Sequence, residues 1–510
     1  MPLSLINSVA SWFLRKRFQQ IEYFMSHPNE VQEALLMALV SKAKDTELGK
    51  KYGFSSISSY AEFARKVPIT KYEEYQPYIE RSRNGEDNIF WPTHIKWFAK
   101  SSGTTSSKSK FIPVSQESLE QCHYEASKDL LSIYLNNNPD SQLFTGKGLR
   151  LGGSKELYKE KGTSFGDLSA ILIDNMPFWA EYSSTPKNSI SLLSDWEIKM
   201  QAIVDDTITE NVTSLMGVPS WMLVLLNNVL ETTGKENILE VWPSLEVYFH
   251  GGVSFAPYRD QYSALLPKDN FRYYEVYNAS EGFFAIQDTN DSNELLLMLD
   301  YGIFYEFIPM DTYGTLEQKI IPLSEVEVGK NYAIVISTNA GLWRYKIGDT
   351  VRFTSISPYR IKVSGRTKHF INVFGEELII ENAEVALEKT LQQVPCKIKD
   401  YTVAPIFMEG REKGAHEWII EFDTPPANLE DFRNCLDLEL QKVNSDYEAK
   451  RFNDTTLRKL EIVVARKDLF YDWLKKQDKL GGQHKIPRLS NSRIFADELI
   501  SINKQEILPE

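Results

Sequence analysis

Cysteine is nearly absent. Cys122, Cys396 and Cys435 are the three in 510 residues, odd in number and far apart. They exclude a disulfide framework and a cysteine-rich metal centre, and they fit a reducing, cytoplasmic setting. Each reads as a small buried hydrophobe rather than a nucleophile. Long hydrophobic runs are missing too: no stretch approaches the roughly 20 apolar residues of a membrane span. The opening MPLSLINSVASWFLRKRF sets Ile6, Val9 and Phe13 at helical spacing, and its cations, Arg15, Lys16 and Arg17, follow the apolar part. A signal peptide needs them before it, so the pattern predicts a packed amphipathic helix rather than a leader or anchor. Positive charge is in deficit, with 57 Lys and Arg against 70 Asp and Glu, a net of −13. That excludes general nucleic-acid binding, which needs a basic surface, while leaving room for a local basic pocket. Internal repeats and low-complexity tracts are also absent.

What is present is a globular composition, 42% hydrophobic and 12% aromatic, in a chain long enough for two or three cores. The first hundred residues read as mostly helical. Pro28 and Gly49 bracket a helix with Val31, Leu35 and Leu39 on one face. A further helix covers about 118–135, and the segment from 195 to 234 reads as helix, short strand at VTSLMG, turn and helix. From 245 the texture becomes short, aromatic and β-branched, as in LEVYFHGG, FRYYEVYNASEG, NYAIVIST and DTVRFTSI, which predicts strands. Beyond about 367, CKIKDYTVAPIF, HEWIIEFD and LEIVVARK read as strands around the helix LEDFRNCLDLELQKVN. The predicted fold is α/β: a large domain over 1–367 with a β subdomain, then a smaller α+β domain over 368–510.

Six stretches could carry chemistry. AKSSGTTSSKSKFIPVS sets the hydroxyls of Ser101, Ser102, Thr104 and Thr105 around Gly103, with Lys108 and Lys110 behind. Hydroxyls and free N–H groups in a tight turn make a phosphate cradle; the alternative is a solvated loop. FHGGVSFAP offers Gly251, Gly252 and Val253, a turn or a slot for a flat ring. YEVYNASEGFFA presents Ser280 and Glu281 after a strand ending at Tyr277; a glutamate there suits Mg²⁺, or is a simple exposed strand end. GLWRYKIGDTVRF places Asp349 in a turn, where a carboxylate can accept from ribose hydroxyls. SGRTKHFINVFGEEL carries Arg366 ahead of a strand. KLGGQHKIPRL carries Lys485, within a tract from Arg466 to Arg488 where seven Lys/Arg stand against three Asp, net +4.

In this order and spacing, SSGTT, Gly-Gly, YxxSE, RYxxGD, Gly-Arg and a late lysine resemble the ordered motif set of the adenylate-forming superfamily: acyl-CoA synthetases, peptide-synthetase adenylation domains and luciferase. Gly365, Arg366, Lys368, Ile371 and Gly375 keep that superfamily's spacing through its hinge. SSGTTSSKSKFIP, YNASE, FYEFIP and WRYKIGD resemble one branch of it, the Gretchen-Hagen-type, auxin-responsive acyl acid amido synthetases. The resemblance spans essentially the whole chain, which looks like a compact, bacterial-type member. Ser107 replaces a usual glycine, Lys368 a frequent acid, and Phe374-Gly375-Glu376-Glu377 a more polar run of plant members, a departure that touches acceptor recognition.

The resemblance implies activation of a small carboxylic acid by ATP as an acyl-adenylate, then transfer to an amine, commonly an amino acid. It implies that Ser101, Ser102, Gly103, Thr104 and Thr105 hold the β/γ-phosphates and that Gly251, Gly252 and Val253 flank adenine with Tyr277 stacked on it. Ser280 would touch the α-phosphate, Glu281 hold Mg²⁺, Asp349 take the ribose hydroxyls and Arg366 support them. Lys485 would bridge carboxylate and α-phosphate, and the C-terminal domain would swing about Lys368. The acyl pocket falls on residues 214–226 or Phe283–Phe284, although a Met/Trp/Leu-rich helix more often is core. A monomeric, cytoplasmic enzyme with neither nucleic acid nor membrane as partner is expected. The rival readings are an acyl-CoA synthetase, for which no added basic surface can be located, and a non-catalytic ligand-binding protein on the same fold.

Overall fold

The structure is a computed structural model that describes residues 17–101, 110–152, 157–160, 162–193, 195–253, 255, 258–367, 370–376, 378–409, 412–452, 456–476 and 487–505. The opening amphipathic segment up to residue 16 lies outside them. Helix α1 (Pro28–Ala43) begins on its proline, whose missing N–H costs nothing at a helix start. It stops at Ala43, and Gly49 falls in a separate short helix, Glu47–Lys51. The buried stripe is Gln32, Leu36, Leu39, Val40 and Ala43 rather than Val31, Leu35 and Leu39. The rotation follows Gln32, whose amide donates to the Leu299 and Ile303 carbonyls and accepts from Tyr305 N–H. A polar side chain is drawn inward to satisfy buried backbone.

Strands β1 (Trp97–Ser101) and β2 (Lys110–Val114) are an antiparallel pair with Ser101 opposite Lys110; the helical first hundred residues thus end on a strand. A helical run from Gln116 passes through a π turn, Leu119–Tyr124, into α2 (Glu125–Asn137). After β3 (Lys147–Leu151), strands β4 (Tyr158–Glu160) and β5 (Thr163–Gly166) join the first pair in a four-stranded sheet. Helix α3 (Leu168–Asp174) follows.

The main sheet has twelve strands. Its parallel part runs β6 (Ser184–Thr185), β3, β7 (Val212–Gly217), β8 (Val247–Gly251) and β9 (Arg272–Ala279) in spatial order. β10 (Gly282–Ile286), β11 (Leu295–Leu297), β12 (Ile303–Pro309), β13 (Ile321–Pro322), β14 (Asn331–Thr338), β15 (Tyr345–Ile356) and β16 (Tyr359–Arg366) extend it antiparallel, in the order β10-β11-β16-β15-β14-β12-β13. Alternation splits each central strand between two cores. Val247 and Phe249 pack with α2 and α3 on one face. Tyr248 packs on the other with α4 (Trp196–Thr207), α5 (Pro219–Thr233) and α6 (Arg259–Leu265). Met222, Leu223, Leu225 and Leu226 of α5 are at most 1% exposed, so that helix is core and not pocket.

Past Arg366 the architecture changes. Strands β17 (Phe370–Ile371) and β18 (Leu378–Ile379) pair, and α7 (Ile380–Gln393) follows. A three-stranded sheet, β19 (Lys397–Ile406), β20 (Ala415–Thr424) and β21 (Glu461–Ala465), has α7 and α8 (Leu429–Val443) on one side and α9 (Leu469–Lys476) and α10 (Ile494–Gln505) on the other. The fold is therefore α/β with a smaller α+β C-terminal part. Tyr258 OH donates to the Val373 carbonyl at 3.2 Å and Trp221 Nε1 to that of Phe374 at 3.3 Å, joining the two parts. Phe374 and Glu376 are fully buried, and Glu376 accepts from Phe374 N–H and pairs with His416 Nε2 at 2.8 Å. The two residues that depart from the plant run at 374 and 376 are thus part of the packing between elements. Glu377 lies outside the described residues.

Candidate active site

Four parallel strands, β3, β7, β8 and β9, end at one edge of the main sheet, and antiparallel β10 starts there. In open α/β sheets ligands bind beyond such carboxyl ends. Glu281 sits in the turn between β9 and β10, half-buried. Burial pushes its carboxyl up to about 7; Lys110 pulls it back down, Asp349 pushes it further up, and Arg366 opposes that. Lys110 is the residue on which the β1–β2 hairpin closes, opposite Ser101. Ser101, which opens SSGTT, and Lys110, which follows it, therefore lie on the Glu281 side of the sheet. Ser102, Gly103, Thr104, Thr105 and Ser107 lie outside the described residues, as do Lys368 and Lys485. The hairpin base is held by Tyr72, whose hydroxyl accepts from Phe111 N–H at 2.9 Å and whose ring lies 5.4 Å from Lys110 Nζ.

Glu281 yields a pH prediction. With its carboxyl raised to about 7 in the free protein, the anion fills only as pH rises through that value. Any step that needs the Glu281 anion in the free protein should therefore climb through about pH 7 and level above it, and Glu281→Gln should abolish the climb.

Asp349 is 7% exposed. Arg366 Nε donates to its Oδ1 at 2.8 Å and Tyr277 OH to its Oδ2 at 2.7 Å. The first contact is set by register, since Asp349 and Arg366 face each other across β15 and β16. The second joins residues 72 apart and was not visible in the sequence. Tyr277 is 8% exposed, and its ring packs 4.9 Å from Phe284. Ser280 is half-buried in the Glu281 turn.

The glycines at 251 and 252 have structural reasons. A Cβ on Gly251 would stand 2.5 Å from the Val276 carbonyl of the neighbouring strand, and Gly252 adopts φ +84°. His250, next to them in the chain, lines a cleft of about 850 Å³ together with Phe255, Arg259, Tyr273, Glu275, Gln287 and residues 290–294. His250 and Glu275 are register partners on β8 and β9. Burial holds His250 neutral, its pKa pushed down to about 3, and raises Glu275. Sequence reasoning passed over both; their signal was position alone, immediately before Gly251 and two before Tyr277.

Two motif residues serve the frame. Arg344 of WRYKIGD adopts φ 46° and grips Glu306 of FYEFIP through Nε at 2.8 Å and Nη2 at 2.7 Å. Its Nη1 donates to the Ala64 and Val67 carbonyls, and Tyr60 OH donates to Glu306. Phe283 and Phe284, 9% and 0% exposed, belong to the core. The basic tract from 466 is partly structural: Arg466 pairs with Asp472 and Arg488 with Asp400. No helix of the described residues is long and apolar enough to cross a membrane.

Solved structures share this architecture over nearly the full length. GH3.15 acyl acid amido synthetase superposes with a TM-score of 0.61 at 17% identity, covering 97% of this chain and 96% of that one. A 2-hydroxyisobutyryl-CoA ligase in its thioesterification state gives 0.55 at 14% identity, covering 93% of each. The fold is thus that of the adenylate-forming ligases. More narrowly, the chain belongs to the GH3 family: the GH3 family N-terminal domain matches residues 17–271, the central domain 296–366 and the C-terminal domain 381–494. Indole-3-acetic acid-amido synthetase GH3.3 of Arabidopsis thaliana is 23% identical, covering 93% of this chain and 91% of its own. Indole-3-acetic acid-amido synthetase GH3.8 of Oryza sativa subsp. indica is 24% identical, covering 93% and 90%.

Proposed function

We propose that this protein is an acid–amido ligase. A carboxylate attacks the α-phosphorus of ATP and pyrophosphate leaves; an amine nitrogen then attacks the acyl carbon, AMP leaves, and the amine gives up a proton. An acyl-adenylate makes this possible because AMP is a far better leaving group than hydroxide. The observation that carries the reading is the convergence of Ser101, Lys110, Glu281 and Asp349, from three distant stretches, at the carboxyl ends of one parallel sheet.

In this reading residues 101–105 hold the β/γ-phosphates, Ser280 touches the α-phosphate, and Gly251, Gly252 and Val253 flank the adenine with Tyr277. Asp349 accepts from the ribose hydroxyls, with Arg366 and Tyr277 fixing its orientation. Lys485 bridges the reacting carboxylate and phosphate, brought in by the 368–510 domain swinging about Lys368. Glu281 fits Mg²⁺ arriving with ATP, since that ion takes one or two carboxylates, keeps waters and completes its shell with phosphates. Bound there, it would neutralise phosphate charge; no group of three or more acidic, His or Cys residues among those described forms a self-sufficient metal site. The chemistry needs one chain and a reducing, ATP-supplied compartment such as the cytoplasm.

The test is acid-dependent ATP–pyrophosphate exchange over indole-3-acetate, benzoate and straight-chain fatty acids, followed by mass spectrometry with amino acids or with coenzyme A. Exchange plus an amide product supports the reading; a thioester product makes the chain an acyl-CoA synthetase; no exchange with any acid rejects it. Asp349→Asn should raise KM for ATP about 10- to 100-fold, the worth of losing charge-assisted bonds to a substrate.

A further inference from the structure

Arg150 stands on β3 at the carboxyl end of the parallel strands. Its neighbours Leu149 and Leu151 enter the core under α4 and α5, so alternation turns Arg150 to the opposite face. There it lies beside Met216, its register partner on β7, which stays 39% exposed. The partners of its guanidinium are neutral. Nη1 lies 2.8 Å from Met176 Sδ and Nη2 donates to Asn188 Oδ1 at 2.5 Å. Nε is buried with no acceptor.

Three other arginines drawn into the protein carry a carboxylate: Arg17 has Asp129, Arg344 has Glu306 and Arg451 has Asp437. Among the described residues none forms an ion pair with Arg150, and Glu181 acts on it only at longer range. Burial without a counter-ion pushes its pKa down to about 10. Buried charges are normally paired, and a guanidinium with neutral partners is matched in shape to a carboxylate held by two parallel bonds.

We propose that Arg150 receives the carboxylate of the acceptor amino acid, a proposal that rests on the ligase reading and narrows its acceptor. The activated acid cannot be the ligand by its own carboxylate, because that group is consumed at the α-phosphate beside Glu281. The acceptor's carboxylate, by contrast, keeps its charge throughout and must enter a desolvated site while its neighbouring nitrogen reacts. The distance agrees. Arg150 is three strands from Tyr277 across β9, β8, β7 and β3, about 14 Å at ordinary strand spacing, a gap that an extended arginine and an amino acid together fill.

The experiment separates the two half-reactions. With the acid that gives the strongest exchange, wild type and Arg150→Met are compared in transfer to a mixture of the twenty standard L-amino acids and to hydroxylamine, a nucleophile with no carboxylate. Arg150→Met should lose amide formation about 10- to 100-fold, the worth of a hydrogen bond to a charged group, and keep hydroxamate formation. Arg150→Lys, charged but without the fork, should fall between the two. Equal losses with both nucleophiles would assign Arg150 to the acid or to the fold, and no loss with either would leave it without a substrate role; each overturns the proposal while pyrophosphate exchange still supports the ligase. A wild type that makes no exchange overturns the ligase reading itself.

Discussion

Replacing Lys485 by alanine is expected to lower acid-dependent ATP–pyrophosphate exchange about 10²- to 10³-fold, the usual cost of removing one donor aimed at charge that develops in a transition state. Attack of a carboxylate on a phosphate brings two anions together, and the chain as a whole, at −13, works against that encounter. A cation delivered at the moment of reaction offsets it. The chain on the C-terminal side of Lys485 is firmly tethered. Thr402 Oγ1 donates to the Pro487 carbonyl at 2.6 Å, Val403 N–H to that of Arg488 at 2.9 Å, and Ser490 N–H to that of Val403 at 3.0 Å. On the N-terminal side α9 is buried through Leu469, Phe470 and Trp473. The segments on both sides of Lys485 thus pack in the C-terminal part, and in the proposed reading bringing Lys485 to Glu281 would move that part with it. Thermal melting should not change. Full exchange in Lys485→Ala would remove the assigned role, and hydroxamate formation from pre-made acyl-adenylate should survive the substitution, because only the first half-reaction needs the bridge.

The second large effect is on stability. Glu306→Gln should cost about 3–5 kcal/mol, since it strips the counter-ion from a buried guanidinium. Arg344 and Glu306 side chains are 5% and 1% exposed, so water cannot replace the lost partner. Arg344 also sits in the left-handed region, where a non-glycine residue is strained, and the pair holds it there at the start of the strand that carries Asp349. Urea midpoints measure the loss. Glu306→Leu combined with Arg344→Met should be milder than Glu306→Gln alone, because removing both partners leaves no orphaned charge. A single substitution costing less than the double would show that the pair does not anchor β15.

The same two motifs show how far the sequence reached. FYEFIP and WRYKIGD were legible as family markers, yet nothing in them told a structural charge from one at the candidate site. Only the packing separated them: Glu306 and Arg344 meet 38 residues apart and close on each other, while Asp349 keeps a polar position at the sheet edge. The segment from Phe374 to Glu376 shows the same limit: nothing local announces that Glu376 is buried or that His416, 40 residues on, is its partner.

Local rules sufficed where the governing forces are local. Alternation marked the strands from 245 onward, proline marked the start of α1, and the order of hydroxyl-rich run, glycine pair, glutamate turn and aspartate turn marked the candidate site and the family. These follow from neighbours a few residues away, whose turn chemistry and side-chain direction the chain itself dictates. Tertiary structure alone decided which side chains share a face and which charges find partners. Gln32 rotated α1 to satisfy backbone more than 260 residues away, Tyr277 took Asp349 as its acceptor, and Arg150 was left beside a thioether and an amide. Burial and pairing are properties of the assembled core, where desolvation sets the cost of every unpaired group, and no window of sequence contains both members of such a pair.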